Sequence, residues 1–315
     1  MGGNCSVSSL FAADQYQLID FGAGRKLERF GAYVLDRPAP SAVGATRRDP
    51  ERWESADARF ERDDAQGRWV FSRTVAPAWP IRCGYIAFDL KFGKFGQVGL
   101  FPEQASNWHW IAEQVCAAGQ PCKVLNLFAY TGGSTLAAAA AGAEVTHVDA
   151  ASGVVNWARH NAAASDLADA PIRWIADDAI KFARRELKRG NRYDAVILDP
   201  PGYGHGPGGE VWKLVDNLGE LMDLCLKLTA VGRQFLLLTC HSGDLATASG
   251  LLKGVLQRTP QLRDNGSLEA SDLFLPSVAG GRLHCGAAVR WTSLARPQPA
   301  NIARDRRQTR VLRDR

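Results

Sequence analysis

Lys123-Val124-Leu125-Asn126-Leu127-Phe128-Ala129-Tyr130-Thr131-Gly132-Gly133-Ser134-Thr135 reads as a buried strand, a tight glycine turn and the start of a helix. Outward from it, an Ala-rich helix runs from Leu136 to Ala141 and Gly142 closes it from the position just past its end. Glu144-Val145-Thr146-His147-Val148-Asp149 then forms a second strand that ends in an acid. This is a βαβ unit whose acid lies roughly 20 residues beyond the turn, where a carboxylate accepts hydrogen bonds from ribose hydroxyls. The expected ligand is a nucleoside derivative, with Asp149 on its ribose. A dinucleotide site calls for G-x-G-x-x-G, which lets the helix N-terminus approach a pyrophosphate. Here only Gly132 and Gly133 lack side chains, while Phe128 and Tyr130 crowd the turn. A phosphate-free ligand such as S-adenosylmethionine fits this turn better than NAD.

Two later segments extend the pattern. Ile172-Arg173-Trp174-Ile175-Ala176 runs into Asp177-Asp178, placed where an acid could accept from an adenine amino group. Ala195-Val196-Ile197-Leu198 leads into Asp199-Pro200-Pro201-Gly202-Tyr203-Gly204. Four apolar residues followed by an acid and two prolines read as a buried parallel strand that stops abruptly. Each proline lacks an N–H, so the carbonyls there leave the sheet ladder. Asp199 and free carbonyls then face the crevice above the sheet, an arrangement suited to gripping a planar nitrogenous ring by its edge.

In combination, N-L-F-A-Y-T-G-G, the H-V-D that follows, the acid pair and V-I-L-D-P-P-G-Y-G resemble the class I methyltransferases of the bacterial 23S rRNA type, the cytosine-C5 and guanine-N7 enzymes. Gly99-Leu100-Phe101-Pro102-Glu103-Gln104 resembles the G-x-F-x-D-Q segment before their catalytic domain, with Pro102-Glu103 departing from it. The resemblance covers residues 97 to 292. It implies S-adenosyl-L-methionine as cofactor and a base of rRNA as substrate. It implies further that Asn126, Phe128, Tyr130, Thr131 and Gly132 line the methionine end and that Gln104 belongs to the cofactor site. Asp149 would hold the ribose and Asp178, with Asp177 as second choice, the adenine. Asp199 and Pro200 would face the target base.

The rest of the chain is consistent with an ordinary enzyme. With 315 residues and 46% hydrophobic content, it can bury a full α/β core and a smaller domain. It has no run of eighteen apolar residues and no signal-peptide pattern, so a cytoplasmic protein is expected. Seven cysteines show no C-x-x-C and no His at zinc spacing, and no metal is expected. From Arg296 to Arg315 seven arginines face only Asp305 and Asp314, so this stretch carries the whole net charge of +5. It reads as a flexible tail that pairs with phosphates or merely solubilises.

The expected organisation is an unstructured start over 1–14, a small antiparallel β-rich domain over 15–96, a methyltransferase domain over 97–295 and a basic tail over 296–315. In the β-rich part, Tyr16–Asp20, Trp69–Thr74 and Tyr85–Leu90 look like strands, and residues 47–64 look like loop. Gly22 to Gly31 mixes basic residues with Phe30: either an RNA-facing turn or a hairpin with a solvated basic face. A helix over 103–117 leads to strands at 123–129, 144–149, 171–176, 193–199 and 232–239 with helices between. That is a doubly wound, Rossmann-like parallel sheet with its ligand crevice above the carboxyl strand ends. Two more strands at 268–275 and 284–292 complete it, one antiparallel, by the resemblance.

The acceptor atom stays open. A guanine N7 needs no base. An exocyclic amine needs accepting partners, which Asp199 and the Pro200 carbonyl could supply. Cytosine C5 needs a thiolate adding at C6, and Cys240 in Leu237-Leu238-Thr239-Cys240-His241-Ser242 is the candidate. The alternatives are that His241 occupies the nucleophile's place and that Cys240 is a small residue ending a buried strand. Tyr203 is placed to stack on an extruded base. His205, among glycines, belongs to a lid that ends at Glu210–Lys213, where a helix should begin. The competing classes are a methyltransferase for a small molecule or protein, a non-catalytic RNA-binding relative, and an NAD enzyme.

Overall fold

The computed structural model describes residues 10–62, 67–118, 122–241, 262 and 266–294. The arginine-rich tail and residues 1–9 of the expected unstructured start lie outside them. Phe11, within that expected start, is buried and packs against Tyr16 and Trp108.

Five strands form the first sheet in sequence order: β1 (Tyr16–Gly22), β2 (Arg25–Phe30), β3 (Tyr33–Pro38), β4 (Ala58–Arg62) and β5 (Gly67–Phe71). Two expectations need correction here. The sheet is mixed, because the connection after β3 carries the chain across and sets β4 parallel to it. The charged segment at 47–64 therefore contains a strand: Phe60 is buried and charges alternate outward around it. Gly22–Gly31 is a hairpin in which Arg25 pairs with Asp36 and Lys26 with Glu28 within the protein. Phe30 is fully buried beneath Arg37, so it cannot stack on a base. A separate hairpin, β6 (Ala78–Cys83) and β7 (Ile86–Lys91), leads towards the large sheet.

The large sheet follows the expected winding. After α1 (Ala105–Ala118) come β8 (Lys123–Leu127), α2 (Gly133–Ala140), β9 (Glu144–Asp149), α3 (Ser152–Ala164), β10 (Ile172–Ala176), α4 (Ala179–Lys188) and β11 (Ala195–Leu198). A small hairpin, β12 (Tyr203–His205) and β13 (Val211–Lys213), precedes α5 (Leu214–Leu228), β14 (Phe235–Cys240), β15 (Gly266–Pro276) and β16 (Arg282–Ser293). The strand order is β10-β9-β8-β11-β14-β16-β15, parallel through β14 and antiparallel at the last two pairings. The order reverses between β8 and β11, and in such sheets the crevice outside the carboxyl ends at that point receives the ligand.

Strand alternation divides the apolar residues between two cores. Val124, Ile197, Phe235 and Leu237 point towards α1, α2 and the β6–β7 hairpin. Leu125, Val196, Leu236, Leu238 and Cys240 point towards α4 and α5. The smaller sheet docks on the far edge, where Leu18 and Ile19 carbonyls accept from the Val278 and Ala279 amides beyond β15. No helix among the described residues is long and apolar enough to cross a membrane.

Candidate active site

The turn after β8 is held in an uncommon shape. Phe128 and Tyr130 adopt left-handed φ of 57° and 49°, and Gly132 follows at 95°. Non-glycine residues rarely take this conformation, and each such residue costs on the order of 1–3 kcal/mol unless its surroundings impose it. Here the surroundings do. The Tyr130 amide donates to Asp149 Oδ2 at 2.9 Å, the Phe128 ring packs 4.7 Å from Trp212, and the Tyr130 ring 5.4 Å from Phe101. Asp149 is held by a second amide, Ala151 N to Oδ1 at 3.0 Å. Burial raises its carboxyl above the ordinary range, against the two amides that favour its charge. Gly133 is required for space, because a Cβ there would sit 2.6 Å from the Trp108 ring.

Below the turn, Asn126 and Thr131 are buried. Asn126 Nδ2 donates to Thr135 Oγ1 at 2.9 Å, and Thr135 lies 2.9 Å from His147 Nδ1. Burial pushes His147 down to about 3, so the ring is neutral. Asn126 Oδ1 is buried without a hydrogen-bond partner among the described residues. A small cavity here, bordered by Gln104, Asn126, Thr131 and Gly132, joins the main site through Phe128, Tyr130 and Asp199, which line both.

Across the switch point stands Asp199. β11 is apolar and buried throughout, and the two prolines end it, so the carboxyl lands at the mouth of the crevice. Gln104 Nε2 donates to Asp199 Oδ2 at 3.1 Å, Thr239 donates to Oδ1, and His241 Nε2 lies 3.0 Å from Oδ1. The other ring nitrogen of His241 lies 3.1 Å from the Cys285 carbonyl and 3.6 Å from Glu103 Oε1. Burial penalises both charges, but each supports the other: Asp199 stays below the ordinary carboxylate range, and His241 is raised to about 10, with Glu103 adding to the effect. Behind this group, Asn107 Nδ2 donates to Gln104 Oε1 at 2.6 Å, and Arg290 donates to Asn107 Oδ1 from Nε and Nη2 at 3.0 and 2.7 Å.

The main cavity, about 510 Å³, brings together Asp149, Asp177, Asp178, Asp199, Pro200 and His241. Asp178 Oδ1 caps α4 by accepting from Lys181 N at 2.9 Å, while Asp177 is paired with Arg185 and accepts from the Asp178 amide. The lid is a β-hairpin, so Val211–Lys213 continues a strand where a helix was expected and α5 begins at Leu214. Trp212 anchors it, donating to the Pro201 carbonyl at 2.7 Å, and Lys181 pairs with Glu210. Two sequence candidates lie away from the cavity. Tyr203 is 58% exposed on the outer lid with its ring edge-on to His205. Cys240 is 2% exposed in the core against α5. Glu103, Asn107, Thr239 and Arg290 were not among the sequence candidates: Glu103 had a signal in the segment before Gln104 and Thr239 in its place two residues before His241, while Asn107 and Arg290 had none. Among the described residues no cluster of three or more His, Cys, Asp or Glu is arranged to hold a metal.

Residues 42–275 match the family model described as S-adenosylmethionine-dependent methyltransferase. A SAM-dependent methyltransferase from Agrobacterium tumefaciens, known as a crystal structure, superposes with a TM-score of 0.80 at 37% identity, over 90% of this chain and 92% of that one. Ribosomal RNA large subunit methyltransferase I of Salmonella arizonae is 28% identical over 172 residues, 54% of this chain and 36% of that protein. The same-named protein of Escherichia coli O139:H28 is 27% identical over the same extent. The match thus spans about a third of the length of these curated relatives.

Proposed function

Because the chain belongs to the S-adenosylmethionine-dependent methyltransferases, we propose that it methylates a base of ribosomal RNA and that Asp199 and Pro200 face that base. The observation that carries this reading is the Asp199 carboxylate, ionised, held by three side chains at the switch point and facing the same cavity as Asp149. The kinship with ribosomal RNA large subunit methyltransferases supplies the substrate class.

The site suits the family's cofactor. Asp149 offers carboxylate oxygens to a ribose diol, and Asp178, with Asp177 beside it, lines the part of the cavity next to α4. The orphaned Asn126 Oδ1, with Gln104, Phe128, Tyr130, Thr131 and Gly132, forms the end suited to the methionine portion. Four aspartates in one cavity suit a cationic ligand. Bound there, the cofactor supplies an activated methyl group on a sulfonium. The protein's own task is then to align the acceptor, keep its lone pair free and exclude water. Phe101, Tyr130 and the Trp212-anchored hairpin wall off solvent, and Asp199 orients the acceptor edge.

Calorimetric titration with S-adenosylhomocysteine, followed by mass-spectrometric mapping of rRNA from a deletion strain, tests the reading. Micromolar binding and one missing rRNA methyl group are expected. Asp199→Ala should keep the binding and lose turnover by far more than about tenfold, a barrier change of ~1.4 kcal/mol. Intact rRNA methylation in the deletion strain would direct the search to a small molecule or protein acceptor.

A further inference from the structure

We propose that this cleft methylates a proton-bearing nitrogen, an exocyclic amine of a planar base, and that His241 stands where a carbon-methylating enzyme would need a thiolate. The inference rests on the reading of the cleft as a base-methylating site. Carbon C5 of a pyrimidine becomes nucleophilic only after sulfur adds at C6, so such an enzyme must present a thiol to the base. Cys240 cannot do so. Strand alternation turns Leu236, Leu238 and Cys240 into the core against α5, and sends Thr239 to the opposite face, where it bonds Asp199. The next residue, His241, is the one that enters the cavity. No other cysteine among the described residues lines the cavity, and Cys5 alone lies outside them.

His241 does not replace the thiol as a covalent nucleophile. One ring nitrogen is engaged by the Cys285 carbonyl, and the other faces Asp199 Oδ1 at 3.0 Å and the Gln104 amide nitrogen at 2.8 Å, with the ring inclined at 33° to Phe101. The carboxylates of Asp199 and Glu103 favour the cationic ring, which has no lone pair to offer. His241 is therefore a positioning residue: it fixes Asp199 and supplies the counter-charge that keeps it ionised.

The acceptor class follows from what remains of Asp199. A carboxylate has about four lone-pair sites. Thr239 and His241 occupy those of Oδ1, and Gln104 occupies one of Oδ2. The remaining Oδ2 site accepts an N–H. A guanine N7 carries no proton to offer there, and a ring C–H gains little from it. Pro200 lines the same cavity, and its carbonyl is the candidate acceptor for the second N–H of an amino group. In the transfer, the amine lone pair forms the nitrogen–carbon bond while the carbon–sulfur pair stays on sulfur, leaving a neutral thioether. The surplus proton on nitrogen passes to Asp199 Oδ2 and from there to water.

The test uses the full-length protein, RNA from a strain lacking it, and S-adenosylmethionine with a deuterated methyl group. Digested nucleosides are then analysed by mass spectrometry. The expected label sits on an exocyclic nitrogen. Label in 5-methylcytosine or 7-methylguanine overturns this inference and leaves the RNA reading standing. Absence of label from all RNA, with S-adenosylhomocysteine still binding, overturns the RNA reading and this inference with it. A readout independent of turnover is alkylation of the native protein by iodoacetamide: exposed Cys116 should react and Cys240 should not. Alkylation of Cys240 as fast as Cys116 would put a thiol within reach of the cleft and also overturn the inference. Cys240→Ala should retain transfer within about threefold, well under the 1.4 kcal/mol that a tenfold loss represents.

Discussion

Arg290 determines which way the Gln104 amide faces, acting through Asn107. Two N–H groups of Arg290 point at Asn107 Oδ1, so Asn107 must turn its NH₂ to Gln104 Oε1, and Gln104 must turn its own NH₂ to Asp199. Amide oxygen and nitrogen are nearly isosteric, and only such a chain of obligate donors and acceptors fixes their order. Arg290 lies on the antiparallel strand β16, its guanidinium 5.4 Å from the Trp110 ring.

Asn107→Asp is the sharpest probe of this relay. The new carboxylate still accepts from Arg290 but cannot donate to Gln104. The Gln104 amide then reverses, removing an N–H from Asp199 and setting a carbonyl oxygen against it. Losing that hydrogen bond, with the repulsion added, corresponds to about 1–3 kcal/mol, or roughly 5- to 150-fold in kcat. Asp199 becomes a weaker acid, so the acidic limb of the kcat/KM profile moves to higher pH while S-adenosylhomocysteine affinity holds. Asn107→Ala, which leaves Gln104 unforced, should shift the limb less. An unmoved limb in Asn107→Asp would refute the relay.

The His241–Asp199 pair carries a signed pH dependence of stability. His241 titrates near 10 in the fold against 6.5 ordinarily, so the folded state holds its proton more tightly. Its stabilisation is complete below about 6.5 and is lost as pH rises towards 10. Asp199, depressed in the fold, contributes above its ordinary 3.8 and loses that contribution as pH falls. Between pH 6.5 and 10 the melting temperature should therefore decline, and in His241→Gln decline less. The facing groups are Asp199, Glu103, Gln104 and the Cys285 carbonyl, and none of these is changed by the substitution. Parallel melting curves for the two proteins across this range would sink the assignment.

The sheet was legible because its parallel strands are rich in buried apolar residues and end in acids, as in the unbroken Ala195–Leu198 before Asp199 and the interrupted Glu144–Asp149. Asp149, Asp178 and Asp199 were legible for the same reason, since a strand's end delivers its last side chain to the crevice. The polar support was not. Glu103, Asn107 and Arg290 come from a 3-10 turn, a helix and an antiparallel strand, and their meeting is a property of packing without local periodicity. The outward turn of Tyr203 was not legible, because its neighbours are loop-forming glycines and the pairing of β12 with β13 sets the ring's direction. Cys240 and His241 differ by one step of strand alternation, and the register of β14 turns the first into the core and brings the second to the cavity.

Gly133→Ala should damage cofactor binding through packing. The added Cβ would meet the Trp108 ring at 2.6 Å, and that ring is itself buried between Phe11 and Phe88. Overpacking of this kind costs typically about 1–3 kcal/mol. The start of α2 must move, and the turn carrying Phe128, Tyr130 and Gly132 moves with it. Melting temperature should fall by several degrees, and calorimetry should show weaker S-adenosylhomocysteine binding. Ala137→Gly, on the same helix but away from the turn, should lower the melting temperature without weakening binding. Equal loss of affinity in both variants would mean that the turn is not what the substitution disturbs.

Trp212 separates the lid's hydrogen bond from its packing. Its indole N–H holds the Pro201 carbonyl at 2.7 Å, and its ring lies 4.7 Å from Phe128 in the cofactor turn. Trp212→Phe keeps much of the buried ring and loses the donor, leaving the carbonyl to find water. A neutral hydrogen bond contributes about 1 kcal/mol, so kcat should fall several-fold with cofactor affinity unchanged. Trp212→Ala also removes the support behind Phe128, whose left-handed backbone persists only while its surroundings impose it. Truncating a buried aromatic costs about 3–5 kcal/mol, and S-adenosylhomocysteine affinity should drop along with kcat. The lid's link to the cofactor turn is then read from the two variants together: affinity lost in Ala but kept in Phe. Loss of affinity to the same degree in both would show that the Pro201 bond, and not the ring packed against Phe128, joins the lid to the turn.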